Sequence, residues 1–128
     1  MILVDTSIWI DHFRSPMTLL VHLLENSRIL GHPWITSELA LGNLSNRDRI
    51  LALLESLPQA PVIQPDPLLA WIHETRLSGL GLGLVDAQVL ASCVAHSEVE
   101  LWTRDRRLGS AAEVHGCRFV PPQAGTQT

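Results

Sequence analysis

Acidic side chains recur in this sequence at points where an apolar segment ends or a helix begins. Asp5 directly follows the apolar run Ile-Leu-Val, and ligands of open α/β sheets bind beyond the carboxyl ends of the strands. Carboxylates held close together repel one another unless one is protonated or a hard divalent cation lies among them. Oxygen-only ligands favour Mg²⁺ or Mn²⁺ over Zn²⁺, and Mg²⁺ keeps waters that can face a phosphate. Metal-assisted phosphodiester hydrolysis is therefore the chemistry indicated by four acids that can share one sheet edge: Asp5, Glu38, Asp86 and Asp105.

Three of these acids also have a purely structural interpretation. Asp is a preferred helix N-cap, so Asp5 fits the start of the helix that follows it. Glu38 and Asp86 are both predicted in a first helical turn, where the helix dipole favours a negative charge. The apolar neighbours of Asp86 make an uncompensated carboxylate costly unless it stays at the rim or binds a cation. The residues alone leave both interpretations open.

Short apolar segments alternate with amphipathic helical segments, which predicts an α/β fold around a parallel sheet. Strand candidates lie at the N-terminus, near 28–35 as a short strand or turn, and at 62–63, 100–103 and 117–120. Helices are predicted over about 6–14, 16–27, 36–42, 45–57, 66–77 and 84–96, with a last helix opening near residue 105. The acids listed above are thereby placed at strand ends and helix starts.

Alternating glycines fill the segment 79–83. A dinucleotide-binding fingerprint requires the order strand, glycines, helix, whereas here a predicted helix precedes the glycines. The segment instead predicts a flexible turn that lets the backbone pass close to another group.

The length of 128 residues and the apolar content of 46% are those of one ordinary domain with a core of its own. We expect this domain to cover residues 1–120 and residues 121–128 to form a disordered tail. No apolar run approaches the length of about 20 residues that spans a bilayer, and the N-terminus lacks the pattern of a signal peptide. These features predict a cytoplasmic protein with two reduced cysteines, Cys93 and Cys117.

All nine basic residues are arginine, although the net charge is −4. An arginine side chain is a planar fork that can hold two phosphate oxygens at once. Arg104, Arg106 and Arg107 bracket Asp105, so the first two are candidates for holding a phosphorylated substrate. Ordinary solvated helix surface is the alternative role of Arg107.

Four groups of residues carry a family resemblance: Val4-Asp5-Thr6-Ser7 with Trp9-Ile10-Asp11; Glu38-Leu39 with Gly42; Gly81-Leu82-Gly83 leading into Val85-Asp86-Ala87; and Leu101-Trp102-Thr103-Arg104-Asp105. In composition and order they resemble the motifs of the PIN-domain ribonucleases, and above all those of the VapC toxins of type II toxin–antitoxin modules. The resemblance extends to about Val120.

The resemblance implies a three-layer fold in which helices flank a central parallel sheet of about four or five strands. It also implies a ribonuclease that cleaves tRNA, rRNA or mRNA, a Mg²⁺ or Mn²⁺ cofactor, a homodimer and a VapB-like antitoxin. The roles it carries over are metal ligation by Asp5, Glu38 and Asp86, with Asp105 as the fourth acid, and binding of water or phosphate by Thr6 and Thr103.

Three rival interpretations fit the sequence less well. An aspartyl-phosphate enzyme or phosphoreceiver requires a lysine, of which the chain has none, and Ser7 stands where a phosphatase has its second acid. A zinc site built from Cys93, His96, His115 and Cys117 lacks a standard spacing. The remaining alternative is a catalytically silent PIN-fold module that binds RNA or protein. The loss of one of the four acids would favour this alternative, but all four are present.

Overall fold

The computed structural model of the chain describes residues 1–122. Of the predicted tail, residues 123–128 lie outside the described residues. Within the described range the elements in chain order are β1 (Ile2–Val4), α1 (Thr6–Arg14), α2 (Thr18–Glu25), β2 (Ile29–Leu30), α3 (Pro33–Ala40), α4 (Arg47–Ser56), α5 (Pro65–Thr75), α6 (Leu84–Val94), β3 (Glu100–Trp102) and α7 (Arg106–Val114).

The sheet has the order β2-β1-β3, and both strand pairs are parallel. Leu3 of the central strand pairs with Leu30 on one side and Leu101 on the other. All three residues of β1 are buried, as expected for a strand that has neighbours on both edges and helices on the faces of the sheet. The predicted α/β fold with a central parallel N-terminal strand is confirmed.

The sheet of the described residues has three strands, where the family resemblance implied four or five. At each edge a single parallel bridge lies in or near a segment predicted to form a further strand. These bridges are Gly31–Gln59 and Leu101–Arg118.

The predicted strand at 62–63 is irregular for a specific reason. The backbone N–H of Ile63 donates to the Gln88 side-chain oxygen at 2.6 Å, and the Gln88 amide donates to the carbonyl of Ile63 at 2.9 Å. A side chain from α6 thus takes the place of a neighbouring strand, so the ladder does not extend to this segment.

Helix α3 begins three residues earlier than predicted, at Pro33. The ring Nδ1 of His32 caps it by accepting the backbone N–H of Trp34 at 3.0 Å, and proline fits the first helical position because it has no N–H to satisfy. Glu38 is therefore the sixth residue of α3. The prediction that it lies in a first turn, and with it the helix-dipole interpretation of this acid, is wrong.

The core lies around β1 and the helix faces that contact the sheet. Trp9, Leu90, Leu101 and Leu108 are fully buried there, from α1, α6, β3 and α7. Among residues 1–122, no helix is both long and apolar enough to span a membrane.

Candidate functional site

Asp5 lies at the carboxyl end of the central strand and is only 4% exposed. Its backbone occupies the N-cap position of α1, but its side chain makes no capping hydrogen bond. Instead, Oδ2 accepts hydrogen bonds from the hydroxyl groups of Ser7 at 2.8 Å and Thr103 at 2.7 Å. Within the described residues, no hydrogen bond falls on Oδ1 of Asp5. Two hydroxyls therefore hold one oxygen and orient the carboxylate, while the other oxygen remains available to a ligand.

The same hydroxyls tie together the segments that follow β1 and β3. Ser7 Oγ accepts the backbone N–H of Arg104 at 3.0 Å, and Thr103 Oγ1 accepts that of Asp105 at 3.0 Å. Ser7 is a site residue that the sequence analysis did not select. Its signal was a hydroxyl two positions after Asp5, but its partner Thr103 lies 96 residues away, directly after β3.

Glu38 projects from α3 toward the start of α1. Its Oε1 accepts a hydrogen bond from the hydroxyl group of Thr6 at 2.5 Å, and Thr6 directly follows Asp5 in the chain. This bond places the exposed carboxylate of Glu38 beside the end of the central strand. Both threonines predicted to bind substrate, Thr6 and Thr103, thus donate their hydroxyls to carboxylates.

Asp86 is the third residue of α6, and its Oδ2 accepts the backbone N–H of Gly83 at 3.0 Å. Burial raises the pKa of this carboxyl group, the Gly83 hydrogen bond opposes that shift, and the charges of Asp5, Asp105 and Glu38 raise it further. The capping interpretation of Asp86 is correct for one oxygen. The carboxylate also lies within the electrostatic reach of the other three acids, so the fold brings all four predicted residues to one region.

Asp105 is exposed and is the N-cap of α7. Its Oδ1 accepts the backbone N–H of Leu108 at 2.9 Å, which leaves Oδ2 without a hydrogen bond to any described residue. One oxygen of this carboxylate stabilises the helix, and the negative charge of the group contributes to the raised pKa of Asp86.

The donor set of this region is suited to a hard divalent cation, because it consists of carboxylate and hydroxyl oxygens with mutual repulsion that a cation would relieve. No three His, Cys, Asp or Glu side chains in residues 1–122 are close enough to coordinate one ion together. An ion bound here would complete its coordination with water, as Mg²⁺ commonly does.

A family model for the PIN domain matches residues 2–114. The chain belongs to the PIN-domain family. It is also similar to Ribonuclease VapC32 from two strains of Mycobacterium tuberculosis, CDC 1551 / Oshkosh and H37Rv. Both relatives are 46% identical to it over 116 residues, which cover 91% of this chain and 94% of each relative. These matches confirm the VapC-type assignment made from the motifs.

The three arginines around Asp105 of this PIN domain have different surroundings. Arg104 forms an exposed ion pair with Asp11, at 3.0 Å between Nη1 and Oδ2. Arg106 forms no ion pair with a described residue. Arg107 lies against the glycine turn, since a Cβ added to Gly81 would come within 2.7 Å of its Nη1. The prediction that this turn lets the backbone pass close to another group is confirmed, and the group is Arg107.

The cysteines do not form the alternative zinc site. Cys93 and Cys117 are free thiols buried in the core, and in residues 1–122 they do not lie close enough to His96 and His115 to form a metal-binding cluster of three.

A buried polar network joins the two helices that carry Glu38 and Asp86. His32, at the start of α3, contacts the Ser92 hydroxyl of α6 at 3.2 Å through Nε2. Ser92 Oγ also lies 2.8 Å from the carbonyl of Pro61 and 3.0 Å from that of Gln88. Burial lowers the pKa of His32, which favours the neutral ring whose Nδ1 accepts the hydrogen bond from the Trp34 N–H. The network sets the position of α3 relative to α6, and so of one acid relative to another.

Gln88 allows the stability of this network to be tested. It is fully buried and forms two hydrogen bonds with the backbone of Ile63. Gln88→Ala leaves the N–H and C=O of Ile63 without these partners, so we expect the free energy of unfolding to fall by about 2–4 kcal/mol. Urea denaturation measures the loss. Gln64→Ala is the matched control, since Gln64 is exposed and its side chain makes no capping bond; it should change stability by less than about 0.5 kcal/mol. Equal effects of the two substitutions would contradict the role of Gln88.

Proposed function

We propose that this PIN domain is a ribonuclease toxin that hydrolyses RNA phosphodiester bonds with Mg²⁺ or Mn²⁺ held among Asp5, Glu38, Asp86 and Asp105. The observation that carries the proposal is the gathering of four carboxylates around the end of the central strand: Thr6 joins Glu38 to the residue after Asp5, and burial, with the charges of the other three acids, raises the pKa of Asp86. The curated relatives named as ribonucleases support the same reaction.

Each side chain has a distinct part in this proposal. The carboxylates would hold the cation together with water, and the bound ion would supply electrostatic stabilisation of the phosphate and a more acidic water. Ser7 and Thr103 orient Asp5 by donating to one of its oxygens, and Thr6 does the same for Glu38. We therefore assign the two threonines to positioning the ligands, in place of the direct substrate contact predicted from the sequence.

The direct test uses the purified chain and total RNA. We expect cleavage with Mg²⁺ or Mn²⁺, loss of cleavage with excess EDTA, and recovery when the metal is restored. Undiminished cleavage in EDTA would refute the metal-dependent mechanism. RNA binding without cleavage in any divalent ion would instead identify the catalytically silent module.

Arg106 is proposed to hold a substrate phosphate, because it is exposed beside Asp105 and has no ion-pair partner among the described residues. Arg106→Ala should weaken RNA binding and lower the slope of log affinity against log salt by about 0.7–0.9 units, the value of one phosphate contact. Arg104→Ala should have a smaller effect, since Asp11 already neutralises part of the charge of Arg104. Salt titrations of RNA affinity measure both slopes. Arg49 is an exposed arginine of α4, and Arg49→Ala is the control. If Arg106→Ala shows the same salt slope of RNA affinity as Arg49→Ala, Arg106 does not contact a substrate phosphate.

The partners we propose are a VapB-like antitoxin and a second copy of this chain. An antitoxin that inserts an arginine or lysine among the four acids would neutralise them and block the site. Co-purification with the product of the adjacent reading frame, with loss of nuclease activity in the complex, tests this model. A fully active complex would refute blocking of the site.

A further inference from the structure

The two cysteines of the chain lie on different elements but belong to one buried core cluster. Cys93 is near the C-terminal end of α6, the helix that has Asp86 in its first turn. Cys117 follows α7 and lies beside β3. Both thiols are free. The core therefore contains a pair of thiols to which the proposed hydrolysis assigns no part.

Backbone hydrogen bonds hold Cys117 on two sides. Its N–H donates to the carbonyl of Ala112 in α7 at 2.9 Å, and its carbonyl accepts the N–H of Leu101 in β3 at 2.6 Å. Helix α6 packs against both β3 and α7, so these bonds hold Cys117 against the helix that carries Cys93. The fold thereby brings the two thiol groups together, and they share a hydrogen bond.

This shared hydrogen bond makes the two thiols chemically unequal. It raises the pKa of Cys93, which burial raises further, and it lowers the pKa of Cys117 against the opposing effects of burial and the Glu100 charge. Cys117 is also the more accessible of the two, at 6% exposed against 1% for Cys93. Because the thiolate is the reactive form of cysteine, a small oxidant reacts first at Cys117.

We propose that Cys93 and Cys117 form a reversible disulfide when the folded chain is exposed to hydrogen peroxide. The Cys117 thiolate attacks one peroxide oxygen, the O–O bond breaks, and Cys117 becomes a sulfenic acid. The hydroxide that leaves takes up the proton that Cys117 had lost. The Cys93 sulfur then attacks the Cys117 sulfur, so the S–S bond forms and the S–O bond breaks. The departing oxygen takes the Cys93 proton, and the two thiols have reduced one peroxide to two waters.

Core packing is the alternative role of this pair, since a free cysteine behaves as a small apolar residue. Packing alone predicts that peroxide leaves both thiols of the folded chain unchanged. The unequal pair predicts a reaction order instead, with Cys117 oxidised first and Cys93 closing the bond.

The disulfide would connect two parts of the chain that carry the proposed site. Helix α6 contains Asp86, and β3, which is bonded to Cys117, leads directly into Thr103. Closing the loop between the cysteines restricts the unfolded chain. We therefore expect the oxidised form to melt about 5–10 °C above the reduced form.

The test uses the full chain, reduced and freed of reductant, with hydrogen peroxide as the probe. The intact mass should fall by about 2 Da, the mass of the two hydrogens lost when a disulfide forms. Trypsin without reductant should then release residues 77–104 linked to residues 108–118, the fragments that contain Cys93 and Cys117. Dithiothreitol should restore the mass and reverse the rise in melting temperature.

Two matched variants separate the roles of the two sulfurs. Cys93→Ala lacks the second thiol, so the sulfenic acid of Cys117 should accumulate and react with dimedone. In Cys117→Ala, the same peroxide dose should leave Cys93 unmodified. Thermal melts of the reduced variants establish that each is folded, and the fragment map of the unmodified chain decides the question without them.

Three results would overturn the proposal. The first is an unchanged mass of the folded chain under a peroxide dose that oxidises the chain in urea. The second is a disulfide between two chains instead of within one. The third is further oxidation of Cys117 to a sulfinic acid while Cys93 stays reduced. These measurements involve neither RNA nor a divalent ion, so their result is independent of the proposed ribonuclease function.

Discussion

Asp86→Asn is expected to reduce RNA cleavage by roughly a hundredfold or more while leaving the fold intact, because it removes one charge from a preorganised electrostatic site. Asparagine keeps the shape of the side chain and can still accept the Gly83 N–H. The raised pKa of Asp86 means that its ionised form is less favourable in the folded state than in the unfolded chain. Without divalent ions, the variant should therefore melt at the same temperature as the parent or higher.

The effect of pH on this stability difference has a definite sign. At neutral pH the parent carries the unfavourable charge, and the gain from Asp86→Asn is largest. As the pH falls through the raised pKa, Asp86 itself takes up a proton, so the gain from the substitution fades. Thermal melts of the parent and of Asp86→Asn at several pH values across this range measure the difference between their melting temperatures.

Metal binding supplies the second measurement on the same variant. Mg²⁺ or Mn²⁺ should raise the melting temperature of the parent by mass action, and that of Asp86→Asn much less. Asp66→Asn is the matched control, since Asp66 lies in the first turn of α5 and outside the four-acid region. An Asp86→Asn variant that keeps full activity and the parent's metal-induced shift would remove Asp86 from the site.

Thr103→Val is expected to reduce cleavage by about 10- to 100-fold, the usual cost of removing a residue that orients a metal ligand. Valine has nearly the same shape but lacks the hydroxyl that donates to Asp5 Oδ2 at 2.7 Å and accepts the Asp105 N–H at 3.0 Å. The loss should include a higher Mg²⁺ concentration for half-maximal activity, because Asp5 loses one of its two orienting donors. Metal titrations of activity measure this shift.

Thr103→Ser should restore most of the activity, since it returns the hydroxyl. Thr75→Val is the control for loss of a threonine hydroxyl elsewhere, where Oγ1 donates to the carbonyl of Trp71 at 2.6 Å. If Thr103→Val changes the maximal rate without moving the metal dependence, Thr103 contacts the substrate as the sequence first suggested.

The two interpretations of the acids, as helix caps and as site residues, turn out to be compatible. Asp86 and Asp105 each use one oxygen to accept a backbone N–H at a helix start. A carboxylate has two oxygens, so capping holds the side chain in place and leaves the second oxygen for a ligand. For Asp86 these roles are alternatives at the level of sequence, because spacing alone does not show which oxygen is used.

The sequence by itself determined the central buried strand, the acid at its end, the order of the α/β elements and the family motifs, because each depends on a local pattern of residues. The tertiary structure decided the rest. No local pattern indicates that His32 caps α3, because histidine is not a usual N-cap, and for this reason Glu38 lies deeper in the helix than predicted. Ser7 and Thr103 meet only because β1 and β3 are adjacent parallel strands whose carboxyl ends coincide, a contact between segments far apart in the chain that no local pattern encodes.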